Sequence, residues 1–395
     1  MSRFDFILVG GGMAGAAAAL ALDRADFRVA VLDPNPPEPI GADDPYDLRV
    51  STLNPASVRI LQALGAWSGI SSVRACAFSR MQVWDDDPAE PLVFDRPPAP
   101  FQALGHLVEN RLVRQALWNS DSQVEFIGER LESLDVSAQT VAVKTEAGKR
   151  YKANWLIGAD GARSPVRDQL GIGVRRRPYF QAGVVAQVDC PAGLRSTAWQ
   201  RFLETGPLAF LPLDETTASI VWSLPTSQAA YLVDCDEDRF NAALNEAFQG
   251  VLGKVAVTGP RRSFPLARQS AERYVSGRAA LLGDAAHVVH PLAGQGANLG
   301  LTDAAALAEV MTDHAEQPEV AGRRYERWRR SDAELMGGAL SGIKWIYSWD
   351  EPGASLRRFG TRAIQRLPWL KARFIEHASG FGGQVPRLAR ARGGL

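Results

Sequence analysis

The chain has 395 residues, of which 46% are hydrophobic and 22% charged, and its 44 basic side chains balance its 44 acidic ones. That composition is typical of a globular protein with a large core, and zero net charge argues against a nucleic-acid partner. The cysteines, Cys76, Cys190 and Cys235, have neither the pattern of a disulfide framework nor the spacing of a metal site. We therefore expect a cytoplasmic protein without a metal.

The chain opens with a strand, a glycine-rich turn, a helix and a second strand. Residues 4–9 are β-forming, Gly10 to Gly15 read GGGMAG, residues 16–22 are helical in pattern, and residues 29–32 form a strand that ends at Asp33. In G-x-G-x-x-G the glycines allow a tight turn and the close approach of a pyrophosphate, and the acid accepts hydrogen bonds from ribose hydroxyls. The pattern predicts a nucleotide-binding βαβ unit.

Two further signals precede the middle of the chain. Residues 54–64 have helical spacing, with Asn54 or Ser57 as the cap. A buried strand at residues 151–157 leads into a second loop that contains Asp160.

From residue 183 to residue 224 the apolar period becomes two, which is typical of an antiparallel sheet. The predicted strands are residues 184–188, 198–203, 208–213 and 219–224. Trp199 and Trp222 lie on these strands, where they either line a substrate pocket or pack in the core. The run Arg175-Arg176-Arg177 is expected to be a solvated turn, with guidance of a nicotinamide phosphate as the alternative.

A third signal begins at residue 279. A short apolar run is followed by Gly283 and Asp284, by a loop containing Pro291 and Gly296, and by a helical pattern from about Ala297. An aspartate after a strand can accept from sugar hydroxyls, and the first N–H groups of a helix can face electron-rich oxygens.

His287 and His290 lie three positions apart, but no cysteine spacing completes a metal site around them. We expect both to line the ligand cavity, with structural packing as the alternative, and we keep His290 as a candidate catalytic residue.

Three motifs thus stand in order: GGGMAG at 10–15, GADGARSPVR at 158–167, and GDAAH…HPLAGQGANLG at 283–300. This order resembles the single-component FAD-dependent aromatic hydroxylases of the para-hydroxybenzoate hydroxylase class. The stretches DLRVSTLNPASVRIL, LGHLVENRLVRQALW and TAWQRFLETGPLAFLPL resemble the ubiquinone-biosynthesis hydroxylases within that class. The resemblance covers essentially the whole chain.

The resemblance implies a non-covalently bound FAD and assigns residues to it position by position. The implied cofactor-binding residues are Gly10, Gly12, Gly15, Asp33, Arg49, Arg111, Asp160, Asp284, Gly296, Ala297 and Asn298. The backbone N–H groups of Ala297 and Asn298 would face the flavin N1–C2=O edge, and the carbonyl of Pro291 would lie beside the reacting ring. Together with His290, these three are the predicted catalytic residues.

The implied activity is hydroxylation of the aromatic ring of a polyprenylated phenol or benzoquinol in ubiquinone biosynthesis. It would use molecular oxygen, electrons from NAD(P)H or another donor, and a flavin C4a-hydroperoxide. One alternative is a hydroxylase of a small soluble aromatic compound, and another is a non-catalytic FAD-binding component of a biosynthetic complex. A flavin-dependent halogenase would carry W-x-W-x-I-P, and the sequence does not contain it.

The expected fold is α/β (α+β overall): a Rossmann-like FAD-binding domain, an inserted antiparallel β-sheet substrate domain and a helical C-terminal tail. The FAD-binding domain is expected at residues 1–72, 102–178 and 275–345, and the substrate domain at residues 73–101 and 179–274. The helical C-terminal tail is expected at residues 346–395. The last segment is basic, and it either packs on its own protein or forms a peripheral contact with the inner face of the membrane or with a ubiquinone-biosynthesis complex.

Overall fold

The elements of the fold are those of a computed structural model, which describes residues 3–85, 87–95, 100–289, 295–347 and 367–390. The strands, in chain order, are β1 (Arg3–Val9), β2 (Val29–Leu32), β3 (Val50–Leu53), β4 (Cys76–Phe78), β5 (Arg80–Trp84), β6 (Leu92–Phe94), β7 (Gly105–Glu109), β8 (Glu125–Ile127), β9 (Leu131–Val136), β10 (Val141–Thr145), β11 (Arg150–Gly158), β12 (Val174–Asp189), β13 (Thr197–Leu203), β14 (Gly206–Pro212), β15 (Thr217–Pro225), β16 (Ala256–Val257), β17 (Arg262–Ala271), β18 (Val275–Ser276), β19 (Ala279–Leu281) and β20 (His287–Val288). The helices are α1 (Met13–Asp23), α2 (Pro55–Ala63), α3 (Trp67–Ser71), α4 (Asn110–Trp118), α5 (Pro165–Gln169), α6 (Thr226–Asp234), α7 (Glu237–Ala247), α8 (Gln295–Asp313), α9 (Pro318–Tyr347) and α10 (Pro368–Ala378). Single 3-10 turns lie at Gly283–Ala285 and Arg387–Ala389.

The first sheet contains the predicted βαβ unit. Its strand order is β18-β19-β11-β1-β2-β8, with β10 and β9 continuing from β11. β1 pairs in parallel with β2 and with β11, and β11 pairs in parallel with β19. All of β2 is buried, as expected for a parallel strand covered on both faces. The carboxyl ends of β1, β11 and β19 therefore lie side by side, which brings the three motif loops to one edge of the sheet.

The second sheet has the order β20-β17-β12-β15-β14-β13-β5-β6 and is antiparallel apart from the β13–β5 pair, with β16 attached to β12. The four strands expected from the period-two pattern are present as β12 to β15. Helices α6 and α7 cover one face, where Trp222, Phe240 and Leu244 are buried. The α/β fold class expected from the sequence, with an antiparallel sheet beside a parallel βαβ sheet, is confirmed.

The arginine run at 175–177 is not a turn. It lies in β12, where Arg175 pairs with Ser270 and Arg177 with Arg268 of β17. The register of that pair shifts between Pro178 and Gln181, where Pro178 cannot donate an N–H and Phe180 has a φ of 55°. We propose that this bulge marks the boundary between the two domains, although β12 itself crosses the expected boundary at residue 178.

The described part of the C-terminal segment packs on the first domain. The backbone N–H of Ala56 donates to the carbonyl of Ser379 at 3.1 Å, and Ile375 is 8% exposed. Between α10 and residue 390, the described chain contains one 3-10 turn, at Arg387–Ala389. Among the described residues, no helix combines the length and apolar content needed to span a bilayer.

Candidate functional site

The turn after β1 needs two of its glycines for folding and leaves a third beside open space. Gly10 has a φ of 101°, and a Cβ there would lie 2.4 Å from the carbonyl oxygen of Ala159. A Cβ on Gly15 would lie 2.0 Å from the carbonyl oxygen of Gly10. A Cβ on Gly12, by contrast, would meet no atom within 4 Å in the part of the chain that the structure describes. Gly12 thus borders a cradle at the N-terminus of α1, where unpaired N–H groups favour an anion such as a phosphate.

Asp33, the acid predicted to bind the ribose hydroxyls, is held in place by hydrogen bonds from neighbouring residues. Its carboxylate accepts from the backbone N–H groups of Gly11 at 2.7 Å and Asn35 at 2.9 Å, and Nη2 of Arg114 lies 3.1 Å away. Arg114 and Trp118 also donate to the carbonyl of Gly11, at 2.8 and 2.7 Å. Helix α4 therefore fixes the glycine turn and its acid as one unit. No local pattern predicts these two roles, because Arg114 and Trp118 lie 103 and 107 positions from Gly11.

The loop after β11 places Asp160 against the same turn. A Cβ on Gly10 would lie 2.9 Å from Cα of Asp160. Oδ2 of Asp160 accepts from the N–H of Val166 at 2.9 Å, whereas the buried Oδ1 has no hydrogen-bond partner among the described residues. Burial raises the pKa of Asp160, although hydrogen bonds from Ser164 and Val166 oppose the shift. A buried acceptor without a donor costs free energy, so Asp160 is prepared to accept a hydrogen bond from a ligand.

Asp284 opens into this cleft from the end of β19. Gly283 adopts a φ of 58°, and the side chain of Asp284 is exposed. The surrounding protein nevertheless desolvates the carboxylate and raises its pKa, while the charges of His287 and Arg49 oppose that shift. The charge of Arg49 thus acts on Asp284, and its guanidinium has no hydrogen bond or ion pair within the described chain. Both charged groups are therefore available to a ligand.

His287 lies in a buried ion cluster beneath Asp284 rather than on the cavity wall. Its Nε2 is 2.7 Å from Oδ2 of Asp303, which also accepts from the N–H of Gly283 at 3.1 Å. Arg329 donates from Nε to Oδ1 of Asp303 at 2.5 Å and from Nη1 to Asp332 at 2.6 Å. Although burial opposes ionisation, the charges of His287 and Arg329 hold the pKa of Asp303 below its ordinary value. The expectation that His287 lines the cavity is wrong, since its ring pairs with an acid on α8.

The N-terminal end of α8 closes the cleft. A Cβ on Gly296 would meet no atom of the described residues within 4 Å, so they leave the space beside the first turn of α8 open. Ala297 is the next residue in that turn. The first N–H groups of a helix have no acceptor within the helix. The side chain of Asn298 accepts from the N–H of Asn54 at 2.9 Å and donates to the carbonyl of Thr52 at 2.7 Å. Asn298 therefore holds α8 against β3 and α2.

All three motifs meet at one place. A Cβ on Gly283 or Gly300 would lie 3.3 or 3.1 Å from Cβ of Ala14 in the first motif. The N–H of Leu282 donates to the carbonyl of Gly158 at 2.9 Å, and α1 packs against α8. The two ends of the chain and the loop after β11 thus border a single cleft.

Arg111 is not brought to this junction. Its guanidinium binds the carboxylate of Glu109 at 2.8 Å and the carbonyl of Pro45, and Arg74 binds the same carboxylate at 2.6 Å. Glu109 is 2% exposed, so this is a structural cluster. A role for Arg111 toward FAD stays a prediction. Pro291 and His290, the other predicted catalytic residues, lie outside the described residues.

A cavity of about 820 Å³ adjoins the cleft. Arg49, Asn110 and Arg163 belong to its wall on the side of the cleft. The second sheet supplies the opposite wall, which includes Val185, Trp199, Ala209, Leu211, Val221 and Phe264. Trp199 therefore lines the cavity, whereas Trp222 points to the other face of the sheet and is 3% exposed. A mostly apolar pocket of this size is suited to an aromatic substrate.

The cleft fits a dinucleotide such as FAD. The open space beside Gly12 and Gly296 provides room for it, and the N-termini of α1 and α8 face that room. Asp33 and Asp284 provide acceptors for hydroxyl groups, and Oδ1 of Asp160 lacks the donor that a bound ligand would supply.

The chain matches the family described as FAD binding domain over residues 3–334. It is 34% identical over 389 residues to the 3-demethoxyubiquinol 3-hydroxylase of Escherichia coli K12, covering 95% of this chain and 98% of that protein. It is 35% identical over 400 residues to the ubiquinone hydroxylase UbiL of Rhodospirillum rubrum, covering 98% and 92%. Among solved structures, Klebsiella pneumoniae HpxO complexed with FAD and uric acid has the same fold, with a TM-score of 0.72 and 20% identity over 96% of each chain.

Proposed function

Because this chain belongs to the FAD binding domain family, as an FAD-dependent aromatic hydroxylase, we propose that its substrate is a polyprenylated benzoquinol of ubiquinone biosynthesis. The observation that carries the proposal is the position of the 820 Å³ cavity, whose apolar sheet wall faces the cleft where the three motifs meet. The relatives named for demethoxyubiquinol and ubiquinone hydroxylation support the choice of ring.

We assign the cofactor-holding roles to the residues that border the cleft. Gly10, Gly12 and Gly15 hold the pyrophosphate, and Asp33 holds the adenosine ribose. Asp160 and Asp284 accept from hydroxyls in the middle of the cofactor, with Arg49 beside them. The assignment is supported by the open space at Gly12 and by the unpaired oxygen of Asp160.

The protein contributes orientation, charge stabilisation and exclusion of water. Bound FAD, once reduced, would activate molecular oxygen, and one of the two oxygen atoms would enter the aromatic ring of the substrate. The N–H groups at the start of α8, around Gly296 and Ala297, stabilise negative charge on the cofactor edge that faces them. Asn298 keeps that helix end in place through Thr52 and Asn54. The apolar cavity wall holds the substrate ring and keeps water from the reacting atoms.

We further propose a peripheral membrane contact through α10. Leu367, Trp369 and Phe374 are 39%, 64% and 45% exposed, which is high for large apolar side chains. Arg373 on the same helix is exposed, whereas Lys371 pairs with Asp95 at 3.2 Å. Exposed aromatic residues beside a cation favour the interface of an anionic membrane. Salt-sensitive flotation with anionic liposomes tests this contact, and a Trp369→Ser variant that floats as well as the wild type would exclude α10.

One observation favours a second candidate, a small soluble aromatic acid. Arg49, Arg163 and Arg262 all line the cavity, and none of their guanidinium groups forms a hydrogen bond or ion pair within the described chain. Guanidinium groups suit a carboxylate.

The test compares the two substrate classes on one protein. FAD-loaded protein with NADH or NADPH is supplied with a prenylated benzoquinol or with soluble hydroxybenzoates, and oxygen uptake and product mass are measured. We expect the benzoquinol to gain one oxygen atom at a rate coupled to oxygen uptake. Hydroxylation of the acid alone would transfer the assignment to the second candidate, and uptake without any hydroxylated product would contradict both.

A further inference from the structure

A second, smaller chamber adjoins the substrate cavity. Its volume is about 160 Å³, and it shares the wall residues Thr52, Phe78 and Met81 with the 820 Å³ cavity. The two spaces therefore abut. The chamber also touches Asn298 at the start of α8, where the reacting edge of the cofactor is proposed to lie.

The walls of the chamber are apolar in character. Phe94 and Leu104 line it on one side, and Phe374, Ile375 and Ala378 of α10 line it on the other. At its polar end, the side chains of Asn54 and Asn298 bond to backbone groups of Ser57, Ala378, Asn54 and Thr52. Thr52 also lines this end, and its buried Oγ1 has no hydrogen-bond partner among the described residues. Away from that end the wall is apolar and suits a hydrocarbon group.

Helix α10 is a fixed wall. Nδ2 of Asn54 donates to the carbonyl of Ala378 at 3.3 Å, and the N–H of Ala56 donates to the carbonyl of Ser379 at 3.1 Å. Gly380 has a φ of 83°, and a Cβ there would lie 2.6 Å from Cβ of Ala56. That close approach requires glycine and fixes the end of α10 against α2.

The same helix extends the apolar surface outward. Phe374 lines the chamber and is also 45% exposed. Trp369 on this helix and Leu367 directly before it are 64% and 39% exposed. Apolar side chains thus run from the substrate cavity, through the chamber, to the protein surface.

We propose that this chamber holds the first isoprenoid unit of the substrate tail and that α10 guides the remaining units outward. The proposal rests on the proposed function, in which the ring carries such a tail. The volume agrees, since an apolar cavity of about 150 Å³ accommodates benzene, and an isoprene unit has one carbon atom fewer. The chamber would thereby select tailed over tailless rings.

A filled chamber tests the proposal. Ala378 lines the chamber and is exposed, so Ala378→Trp adds bulk at the chamber wall without replacing a buried side chain. Ala372 is exposed on the same helix outside the chamber wall, and Ala372→Trp is the matched control. The substrates are a benzoquinol with two isoprene units and the same ring with a methyl group in place of the tail. Turnover of both is measured, together with binding of the corresponding quinones followed by the flavin absorbance.

We expect Ala378→Trp to lower kcat/KM for the tailed ring by at least about tenfold, which is what small volume changes in a hydrophobic pocket produce. Binding of the tailed quinone should weaken in parallel, the tailless ring should change by less than about twofold, and Ala372→Trp should change neither. Ala378→Leu should give a kcat/KM for the tailed ring between those of the wild type and Ala378→Trp. If Ala378→Trp does not retain FAD, the result for Ala378→Leu tests the proposal in its place.

Two other outcomes are distinguishable. If the wild type hydroxylates the tailed ring but Ala378→Trp affects both substrates equally, or neither, the tail chamber is excluded while the proposed function stands. If the wild type does not hydroxylate the tailed ring at all, the proposed function fails and the chamber loses its occupant with it.

Discussion

Removal of Arg329 tests whether the buried ion cluster supports the cofactor cleft. Arg329 and Asp303 are 1% and 0% exposed, and Nε of Arg329 lies 2.5 Å from Oδ1 of Asp303. In Arg329→Met, the carboxylate of Asp303 keeps the hydrogen bonds to Gly283 and His287 but loses the ion pair with the guanidinium of Arg329. Because Asp303 holds the N–H of Gly283, the turn that presents Asp284 to the cleft depends on the same carboxylate.

The expected cost is about 3–5 kcal/mol in the free energy of unfolding, the usual range for breaking one partner of a buried ion pair. The Coulomb term is consistent with this, since two unit charges about 4 Å apart interact by about 4 kcal/mol at an effective dielectric constant near 20. The matched control lies on the same helix: Arg323 pairs with Glu319 at 3.4 Å, and both side chains are exposed. Arg323→Met should cost no more than about 0.5 kcal/mol.

The cost of Arg329→Met should depend on pH. In the wild type the pKa of Asp303 lies below its ordinary value, so its contribution is present at neutral pH and is lost only as the pH falls through that lowered pKa. Without Arg329, burial dominates and raises the pKa of Asp303, so that protonation relieves the penalty. The difference between variant and wild type should therefore narrow from pH 8 toward the unfolded-state pKa of about 4.

Urea unfolding of the FAD-free protein, followed by tryptophan fluorescence at pH 8 and pH 5.5, measures these differences. We expect a lower midpoint for Arg329→Met, a midpoint close to that of the wild type for Arg323→Met, and a smaller gap at pH 5.5. A cost for Arg329→Met no larger than that of Arg323→Met would refute the role of the cluster.

Three further predictions concern the cleft. Gly12→Ala should leave the urea midpoint of unfolding unchanged, because its methyl group enters open space, but it should weaken FAD binding, because that space is where the cofactor is proposed to lie. Gly15→Ala should lower the midpoint, because its methyl group meets the backbone carbonyl of Gly10. Equal midpoints for the two variants would contradict this contrast. Asp284→Ala should weaken FAD binding by roughly 10- to 100-fold, as expected for one hydrogen bond to a charged acceptor; unchanged flavin occupancy after dialysis would remove its role. Burial raises the pKa of Asp160, so the FAD-free protein loses stability as the pH rises from the unfolded-state pKa through the raised one. Asp160→Asn should therefore unfold at higher urea at pH 8, with no gain at pH 4, and should retain less FAD. A lower midpoint for the variant at pH 8 would show that the folded protein favours the ionised carboxylate.

The parts of the fold that follow from local pattern could be predicted from the sequence. The glycine turn after β1, the parallel β1–β2 pair and the alternating strands β12 to β15 each depend on residues close in the chain. Asn54 caps α2 by accepting from the N–H of Ser57 at 2.9 Å, which is a signal three residues long.

What could not be predicted depends on pairing between distant segments. The arginine run at 175–177 became a strand because β17, some ninety residues later, pairs with it. Trp199 and Trp222 have the same local pattern, and only the register of the sheet decides which of them lines the cavity. The buried cluster required Arg329, 26 positions after Asp303.

The most direct test of the central claim is a crystal structure of the protein with FAD bound. We predict one cofactor that spans the cleft, with its pyrophosphate against Gly10 to Gly15 and the edge of its ring system against Gly296 and Ala297. An FAD whose ring system lies away from α8, or a pyrophosphate away from the glycine turn, would contradict the account.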